Sequence, residues 1–140
     1  LGLDVFVFNN DEVNDGRLLK SICQNQGIDY IVLAGYLRKI PTELIDEYPH
    51  HIINIHPSLL PKYGGPGMYG KHVHEAVVLA KDTQSGISIH LVNLDYDKGQ
   101  MIAQFFTPIH VQDDMQAVEE KVKKLEALYF PIVVEKYIQQ

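Results

Sequence analysis

Residues 30–35 read YIVLAG, a continuous apolar run typical of a strand that is buried on both faces of a parallel sheet. A second run, IINIH at residues 52–56, ends directly before Pro57, and proline does not continue a central strand. Between them, Pro41 suits the first position of a helix, so we predict a short helix over residues 41–47. This strand–helix–strand order favours two parallel strands joined by a right-handed crossover.

The segment before this pair continues the same alternation of elements. Residues 3–8 (LDVFVF) are short, apolar and rich in β-forming side chains, so they predict a strand. Residues 16–26 carry apolar side chains at helical spacing, and Gly27 is placed as a C-terminal stop. A helix over residues 16–26 therefore follows from both signals.

The segment after Pro57 begins with a loop over residues 57–70 that contains three prolines and four glycines. Long loops in compact domains are often functional. The elements predicted beyond it are a helix, two strands and a long amphipathic helix, at residues 71–80, 86–92, 101–108 and 116–138. The sequence thus predicts an α/β fold: a mostly parallel open sheet flanked by helices, with an antiparallel edge pair and a long C-terminal helix. Ligands in such sheets bind beyond the carboxyl ends of the strands.

The composition indicates one globular domain over residues 1–140, with 46% hydrophobic and 21% charged residues. No run reaches the roughly 18 apolar residues that a membrane-spanning helix needs. The 18 acidic against 12 basic residues give a net charge of −6, which opposes nucleic acid as the main partner. A single cysteine, Cys23, excludes an internal disulfide framework and favours a reducing, cytoplasmic location.

Asn54 and His56 are the first candidates for chemistry. They lie two residues apart in a predicted strand, so their side chains share one face at its carboxyl end. Polar groups are costly among the neighbouring isoleucines unless something pairs with them. An amide and an imidazole together suit an oxyanion or a leaving proton. The alternative is a capping Asn54 and a core His56 held by hydrogen bonds.

Three further side chains have open interpretations. Asp97 lies in the loop at residues 93–99, where it either accepts a proton or orients His56, or is simply solvated, and Asp95 competes for the same role. His90 shares its strand face with Ser88, so we expect it behind the reacting groups or hydrogen-bonded in the core. The spacing alone leaves these alternatives open.

A metal site is not predicted. His72 and His74 lie two apart in a predicted helix and point to different sides, whereas metal-binding pairs on a helix need a separation of three or four. Arg38 and Lys39 follow a strand and either meet an acidic ligand or lie in a surface loop. No G-x-G-x-x-G or Walker motif is present.

The run NIHPSLLP at residues 54–61 resembles the signature of the folate-dependent phosphoribosylglycinamide formyltransferase (glycinamide ribonucleotide transformylase) family. Three more segments resemble this family in the same order: VLAGYLRKI at residues 32–40, the strand at 86–92 with the loop that follows it, and EALYFP at 126–131. The resemblance extends over nearly the whole chain and implies the formyltransferase, Rossmann-like fold.

The resemblance implies an enzyme of purine biosynthesis that transfers a formyl group from 10-formyltetrahydrofolate to the primary amine of glycinamide ribonucleotide. It assigns the reaction to Asn54, His56 and Asp97, with Asn54 and His56 donating hydrogen bonds to a tetrahedral oxyanion and Asp97 orienting His56. Glu126 would bind the ribose hydroxyls. The residues that it assigns to folate are Tyr36, Leu37, Arg38, Lys39 and Ile40. No metal or covalent enzyme intermediate is implied, and the partners are these small molecules rather than nucleic acid or membrane.

Two departures from the family pattern bear on this expectation. The family begins with a strand and a Gly/Ser-rich loop that holds the substrate phosphate, and no such loop precedes Leu1. We therefore expect a piece of a longer enzyme that is inactive or very weak alone. The loop at residues 62–71 is also longer than the family's usual connection. Formyltetrahydrofolate hydrolase, methionyl-tRNA formyltransferase and a non-catalytic folate-binding fragment remain alternatives, and the oligomeric state stays open.

Overall fold

The computed structural model describes residues 2–140. Its four strands are β1 (Ile31–Leu33), β2 (Ile52–His56), β3 (Gln84–Leu91) and β4 (Met101–Pro108), which form one sheet in the order β1-β2-β3-β4. Its helices are α1 (Gly16–Asn25), α2 (Thr42–Glu47), α3 (Lys71–Leu79) and α4 (Met115–Ile138), with a short 3₁₀ helix at Glu12–Asn14. None of the helices within residues 2–140 has the length and apolar character to cross a membrane.

The predicted α/β sheet flanked by helices is confirmed, including the antiparallel edge pair and the long C-terminal helix α4. Strands β1 and β2 are parallel, whereas β2–β3 and β3–β4 are antiparallel. Parallel pairing among the described strands is therefore limited to one of three pairs, which is less than the mostly parallel sheet expected. The reason is the connection through α3, which returns the chain to the end of the sheet where β2 finishes, so that Ser88 pairs with His56 and β3 runs back.

The strand predicted over residues 3–8 is wrong. The structure gives these residues no strand, and Leu3, Val5 and Val7 are exposed. A strand needs a neighbour whose backbone N–H and C=O groups pair with its own, and no described strand supplies one. Because no described strand pairs with β1 on the side away from β2, this side of β1 is an unpaired edge within residues 2–140. Strand β1 is also shorter than predicted. Val32 at its centre is 43% exposed, so β1 is not buried on both faces.

Two hydrophobic clusters cover opposite faces of the sheet, because successive strand residues point to opposite sides. Ile52 belongs to the smaller cluster, with Leu33, Ile40, Leu44 and Tyr48, beside α1 and α2. Ile53 belongs to the larger one, against α3 and α4, whose other buried members are Val77, Ile87, Ile89, Leu91, Ile109, Val118 and Val122. Burial of each aliphatic side chain stabilises the folded state by about 1.5–3 kcal/mol relative to leaving it exposed. Strand β2, which carries the candidate residues, is thus anchored from both sides.

The helix boundaries follow local signals. Asp15 caps α1 by accepting hydrogen bonds from the backbone N–H groups of Arg17 and Leu18, and Gly27 follows its end with a φ of +63°. The predicted stop at Gly27 is confirmed. Pro41 lies at the N-cap of α2 rather than inside its first turn, and α4 continues through Pro131.

Candidate active site

A cavity of about 860 Å³ opens where β1 and β2 end, between the loops that follow β1, β2 and β3 and the face of α4. This volume lies in the range of small-molecule sites. Among the residues named in the sequence analysis, those that line it include Tyr36, Leu37, Arg38, Lys39, Ile40, Asn54, His56, His74, His90, Asp95, Asp97 and Glu126. The fold therefore brings together residues that are up to 90 positions apart in the chain.

Four polar residues of this lining, Asn54, His56, His90 and Asp97, form a group that we call the strand-end cluster. The antiparallel register places Asn54 opposite His90, so their side chains lie on the same face. Asn54 Nδ2 lies 3.2 Å from His90 Nε2. His56 and His90 are only 5% and 2% exposed. Alternation on β2 and the pairing of β2 with β3 are thus enough to assemble three of the four groups.

Asp97 completes the strand-end cluster from the loop between β3 and β4. Its Oδ1 lies 3.5 Å from both His56 Nδ1 and His90 Nε2, and its Oδ2 accepts a 2.9 Å hydrogen bond from the Gly65 N–H. Asp97 has a φ of +54°, a left-handed conformation that Asp and Asn adopt more readily than most residues. Asp95 is exposed in the same loop. Of the two carboxylates that the sequence left in competition, Asp97 is the one that faces the histidines.

Backbone carbonyls fix the tautomers of both histidines. His56 Nε2 lies 2.7 Å from the Tyr63 carbonyl, and His90 Nδ1 lies 2.9 Å from the Leu91 carbonyl. A carbonyl only accepts, so these two nitrogens carry the hydrogens. In the neutral imidazoles the other nitrogens, His56 Nδ1 and His90 Nε2, present lone pairs toward Asp97 Oδ1. A proton that enters the cluster is therefore shared between the carboxylate and an imidazole.

The pKa values agree with this arrangement. Burial lowers the pKa of His56 below 6.5, against the opposing effects of Asp97 and the Tyr63 carbonyl. Burial acts to raise the pKa of Asp97, but His90 and His56 in their protonated forms, together with the hydrogen bond from the Gly65 N–H, leave it below its ordinary 3.8. Near neutral pH the cluster thus holds an ionised carboxylate beside a neutral His56, which is an arrangement ready to accept a proton.

The loop at residues 36–40 forms a second wall of the cavity. Ile40 is buried in the smaller hydrophobic cluster, while Leu37 and Lys39 are exposed. The Tyr36 hydroxyl is buried without a hydrogen-bond partner, and burial raises the pKa of this tyrosine. Arg38 hydrogen-bonds with Asn10 Oδ1, so this cation is engaged by the N-terminal segment.

A third wall comes from the helices, and most of it was missed in the sequence analysis. Glu119, Lys123 and Glu126 lie on one face of α4, beside His74 on α3, and we call these four residues the helix-face cluster. Their spacing along α4, four and then three residues, was the available signal. Lys123 Nζ lies 2.6 Å from Glu119 Oε1. The sequence analysis considers His74 only as a metal ligand.

Two members of the helix-face cluster, Glu126 and His74, have pKa values that are shifted mainly by burial. Burial raises the pKa of Glu126, while Lys123 works in the opposite direction. Burial lowers the pKa of His74, against the attraction of Glu119, and the His74 Nδ1 has no hydrogen-bond partner. Among residues 2–140, no three His, Cys, Asp or Glu side chains converge in a way that suits a metal ion.

The fold and this site define a class: an α/β protein with a carboxylate, an amide and two imidazoles at the ends of its strands. The family model described as formyl transferase matches residues 7–134, and the chain belongs to this family. Among its relatives, the chloroplastic phosphoribosylglycinamide formyltransferase of Arabidopsis thaliana is 39% identical over 138 residues, which are 94% of this chain and 47% of the relative. The phosphoribosylglycinamide formyltransferase of Haemophilus influenzae is 33% identical over 126 residues, which are 90% of this chain and 56% of the relative.

Solved structures give the same result. The phosphoribosylglycinamide formyltransferase of Streptococcus pneumoniae superposes with a TM-score of 0.85 at 29% identity, over 95% of this chain and 73% of that one. A formyltetrahydrofolate deformylase of Pseudomonas syringae has a TM-score of 0.74 at 24% identity, which shows a shared fold. The chain spans about half the length of the first curated relatives it matches.

Proposed function

We propose that this chain supplies the reaction centre of a phosphoribosylglycinamide formyltransferase, which moves a formyl group from 10-formyltetrahydrofolate to the primary amine of glycinamide ribonucleotide. The observation that carries the proposal is the strand-end cluster, where Asp97 lies between two imidazoles whose outer nitrogens are fixed by backbone carbonyls. Relatives with this name cover most of the chain at 33–39% identity, which supports the choice of reaction.

The reaction begins when the substrate amine attacks the formyl carbon. A carbon–nitrogen bond forms, and the carbonyl oxygen becomes an oxyanion. One N–H of the Asn54 amide is directed to His90, which leaves the second to donate a hydrogen bond to the oxyanion. Such a donor is worth about 10²–10³ in rate. The His56 Nε2–H already donates to the Tyr63 carbonyl. We therefore assign the hydrogen bond to the oxyanion to Asn54 rather than to His56.

The proton that the attacking nitrogen must lose goes to Asp97 and His56. The ionised carboxylate accepts it, and the lone pair of His56 Nδ1 shares it across 3.5 Å. When the oxyanion collapses, the bond from the formyl carbon to folate N10 breaks, and the proton passes to N10. Charge and protons balance, and the cluster returns to its starting state.

The walls around the cluster position the two substrates. We assign the folate to the loop of Tyr36, Leu37, Arg38, Lys39 and Ile40, which joins the buried end of β1 to the cavity. We assign the ribose hydroxyls to Glu126, a partly buried carboxylate that accepts two hydrogen bonds from a diol. Holding both reactants in one cavity removes much of the entropic barrier to their reaction.

The test follows tetrahydrofolate release from 10-formyltetrahydrofolate, with and without glycinamide ribonucleotide, using the protein at its full natural length. We expect release only with the nucleotide, and loss of release in His56→Ala. Release without the nucleotide would replace the proposal with a hydrolase, and no release in either case would leave a folate-binding protein. The same assay on the 140-residue chain alone tests the expectation that it is inactive or very weak.

We also propose a cytoplasmic location, with small molecules as the partners. The free thiol of Cys23 suits a reducing compartment. Plant relatives are named as chloroplastic, so the competing location is an organelle. Imaging of a tagged full-length protein in its own cell distinguishes the two.

A further inference from the structure

Tyr63 connects the strand-end cluster to the opposite side of the loop that follows β2. Its carbonyl accepts the 2.7 Å hydrogen bond from His56 Nε2, and its hydroxyl donates a 2.8 Å hydrogen bond to Asp82 Oδ2. Asp82 lies in the turn between α3 and β3, away from the cavity. One residue thus joins a reacting imidazole to a carboxylate that does not line the cavity.

The backbone of Tyr63 is held in an unfavourable conformation. Its φ is +56°, a left-handed value that is unfavourable for a bulky residue and persists only where the surroundings hold it. Three contacts do this. Asp82 holds the ring through its hydroxyl, and Lys62 Nζ binds both Asp82 oxygens at 2.6 and 2.7 Å. Ser58 Oγ donates a 2.6 Å hydrogen bond to the Lys62 carbonyl.

The position of the Tyr63 carbonyl decides which nitrogen of His56 carries the hydrogen, because the acceptor at one ring nitrogen selects the tautomer. With Nε2 protonated, the Nδ1 lone pair faces Asp97 Oδ1. If the carbonyl turned away, the tautomer with hydrogen on Nδ1 would be favoured by Asp97, and that nitrogen would no longer take a proton.

We propose that the Tyr63 hydroxyl and Asp82 are positioning residues, which hold the Tyr63 carbonyl against His56 and so keep its Nδ1 available as the proton acceptor. Neither side chain touches a substrate. The kinetic part of the proposal rests on the proposed formyltransferase function, whereas the tautomer of His56 is a property of the protein alone.

The experiment compares Tyr63→Phe and Asp82→Ala with Tyr137→Phe, a matched control that loses a hydroxyl hydrogen bond to the His50 carbonyl far from the cavity. Asp82→Asn is the conservative variant, because its amide oxygen still accepts from the Tyr63 hydroxyl. We expect Tyr63→Phe and Asp82→Ala to lower kcat about tenfold with KM changed less than twofold. We expect Asp82→Asn and Tyr137→Phe to stay within about twofold of wild type.

The pH profile and the ring nitrogens of His56 separate positioning from general stability. The Tyr63 carbonyl raises the pKa of His56, against burial, so releasing it moves the acid limb of kcat/KM to lower pH. In ¹⁵N spectra of the wild-type protein we expect hydrogen on His56 Nε2, and a mixture of tautomers in Tyr63→Phe.

An unchanged tautomer in both Tyr63→Phe and Asp82→Ala, judged in variants whose circular dichroism matches wild type, overturns the proposal. If the wild-type protein shows no nucleotide-dependent transfer, the formyltransferase function fails, but the spectra still decide the positioning. A changed tautomer in either folded variant, with Tyr137→Phe unchanged, supports it.

Discussion

The strand-end cluster and the helix-face cluster line the same cavity, but different forces hold them. His56 and His90 are almost fully buried, and each has one ring nitrogen on a backbone carbonyl. The Lys123 side chain is 66% exposed, and its partner Glu119 lies on the same helix. Strand pairing fixes the strand-end cluster, whereas the helix-face cluster consists of side chains that can change their conformation. Chemistry that depends on distance needs the first arrangement, while binding tolerates the second.

The largest expected effect is in the strand-end cluster. Asp97→Asn keeps the shape and suits the left-handed backbone, but an amide accepts no proton, so we expect kcat to fall about 10²–10⁴-fold. The assay is nucleotide-dependent tetrahydrofolate release. Asp95→Asn, in the same loop and exposed, is the control and should keep nearly full activity. Equal losses in both variants would mean that loop charge, and not the carboxylate beside the histidines, matters.

A smaller effect is expected in the helix-face cluster. Glu126→Gln keeps one acceptor oxygen and removes the charge, so we expect KM for the nucleotide to rise about tenfold while kcat changes little. Glu120→Gln, an exposed glutamate on the same helix, is the control. A fall in kcat with KM unchanged would contradict this division and would place Glu126 with the reacting groups.

The pH dependence of stability gives a third comparison. Burial lowers the pKa of His74 in the folded state below 6.5. The unfolded chain therefore binds more protons just below that pH, and the free energy of unfolding must fall as the pH drops from about 7 to 5. One such group contributes at most about 1.4 kcal/mol per pH unit. His56 adds an effect of the same sign.

The check is urea unfolding of the wild type, His74→Asn and His72→Asn between pH 5 and 7.5. We expect His74→Asn to flatten the profile, while the exposed His72→Asn leaves its slope unchanged. Parallel profiles for all three would show that His74 titrates alike in the folded and unfolded chains.

The smallest effect is expected at the ion pair between Glu119 and Lys123. Solvent screens a pair of this exposure, so Glu119→Gln should leave the urea midpoint unchanged within error. The urea midpoint of the wild-type protein should likewise change little when salt is added. A clear loss of stability would mean that the helix-face cluster is held as firmly as the strand-end cluster, and the contrast between them would fail.

Most of the fold was predictable because its signals are local. The runs at residues 52–56 and 101–108, the stop at Gly27 and the length of α4 follow from neighbouring side chains. The failures depend on distant partners. Residues 3–8 look like a strand, but pairing decides whether they form one, and the direction of β3 depends on how the chain returns through α3.

The candidate site divides in the same way. Alternation alone placed Asn54 and His56 on one face, and a resemblance chose Asp97 over Asp95. The register that sets His90 against Asn54 was not readable from the sequence. Nor was the role of the Tyr63 carbonyl as the acceptor for His56, because a backbone group has no signature in the residue types.

The left-handed backbone at Asp97 has a consequence for how this protein changes over generations. Asn and Gly are the residues that adopt this conformation most readily, and each is a single base change from an Asp codon. Neither can take up a proton. Both of these changes therefore suit the backbone at this position but remove its proton acceptor. Quality control that detects misfolding has nothing to act on there, so under the proposed function only selection on the reaction itself keeps the aspartate in place.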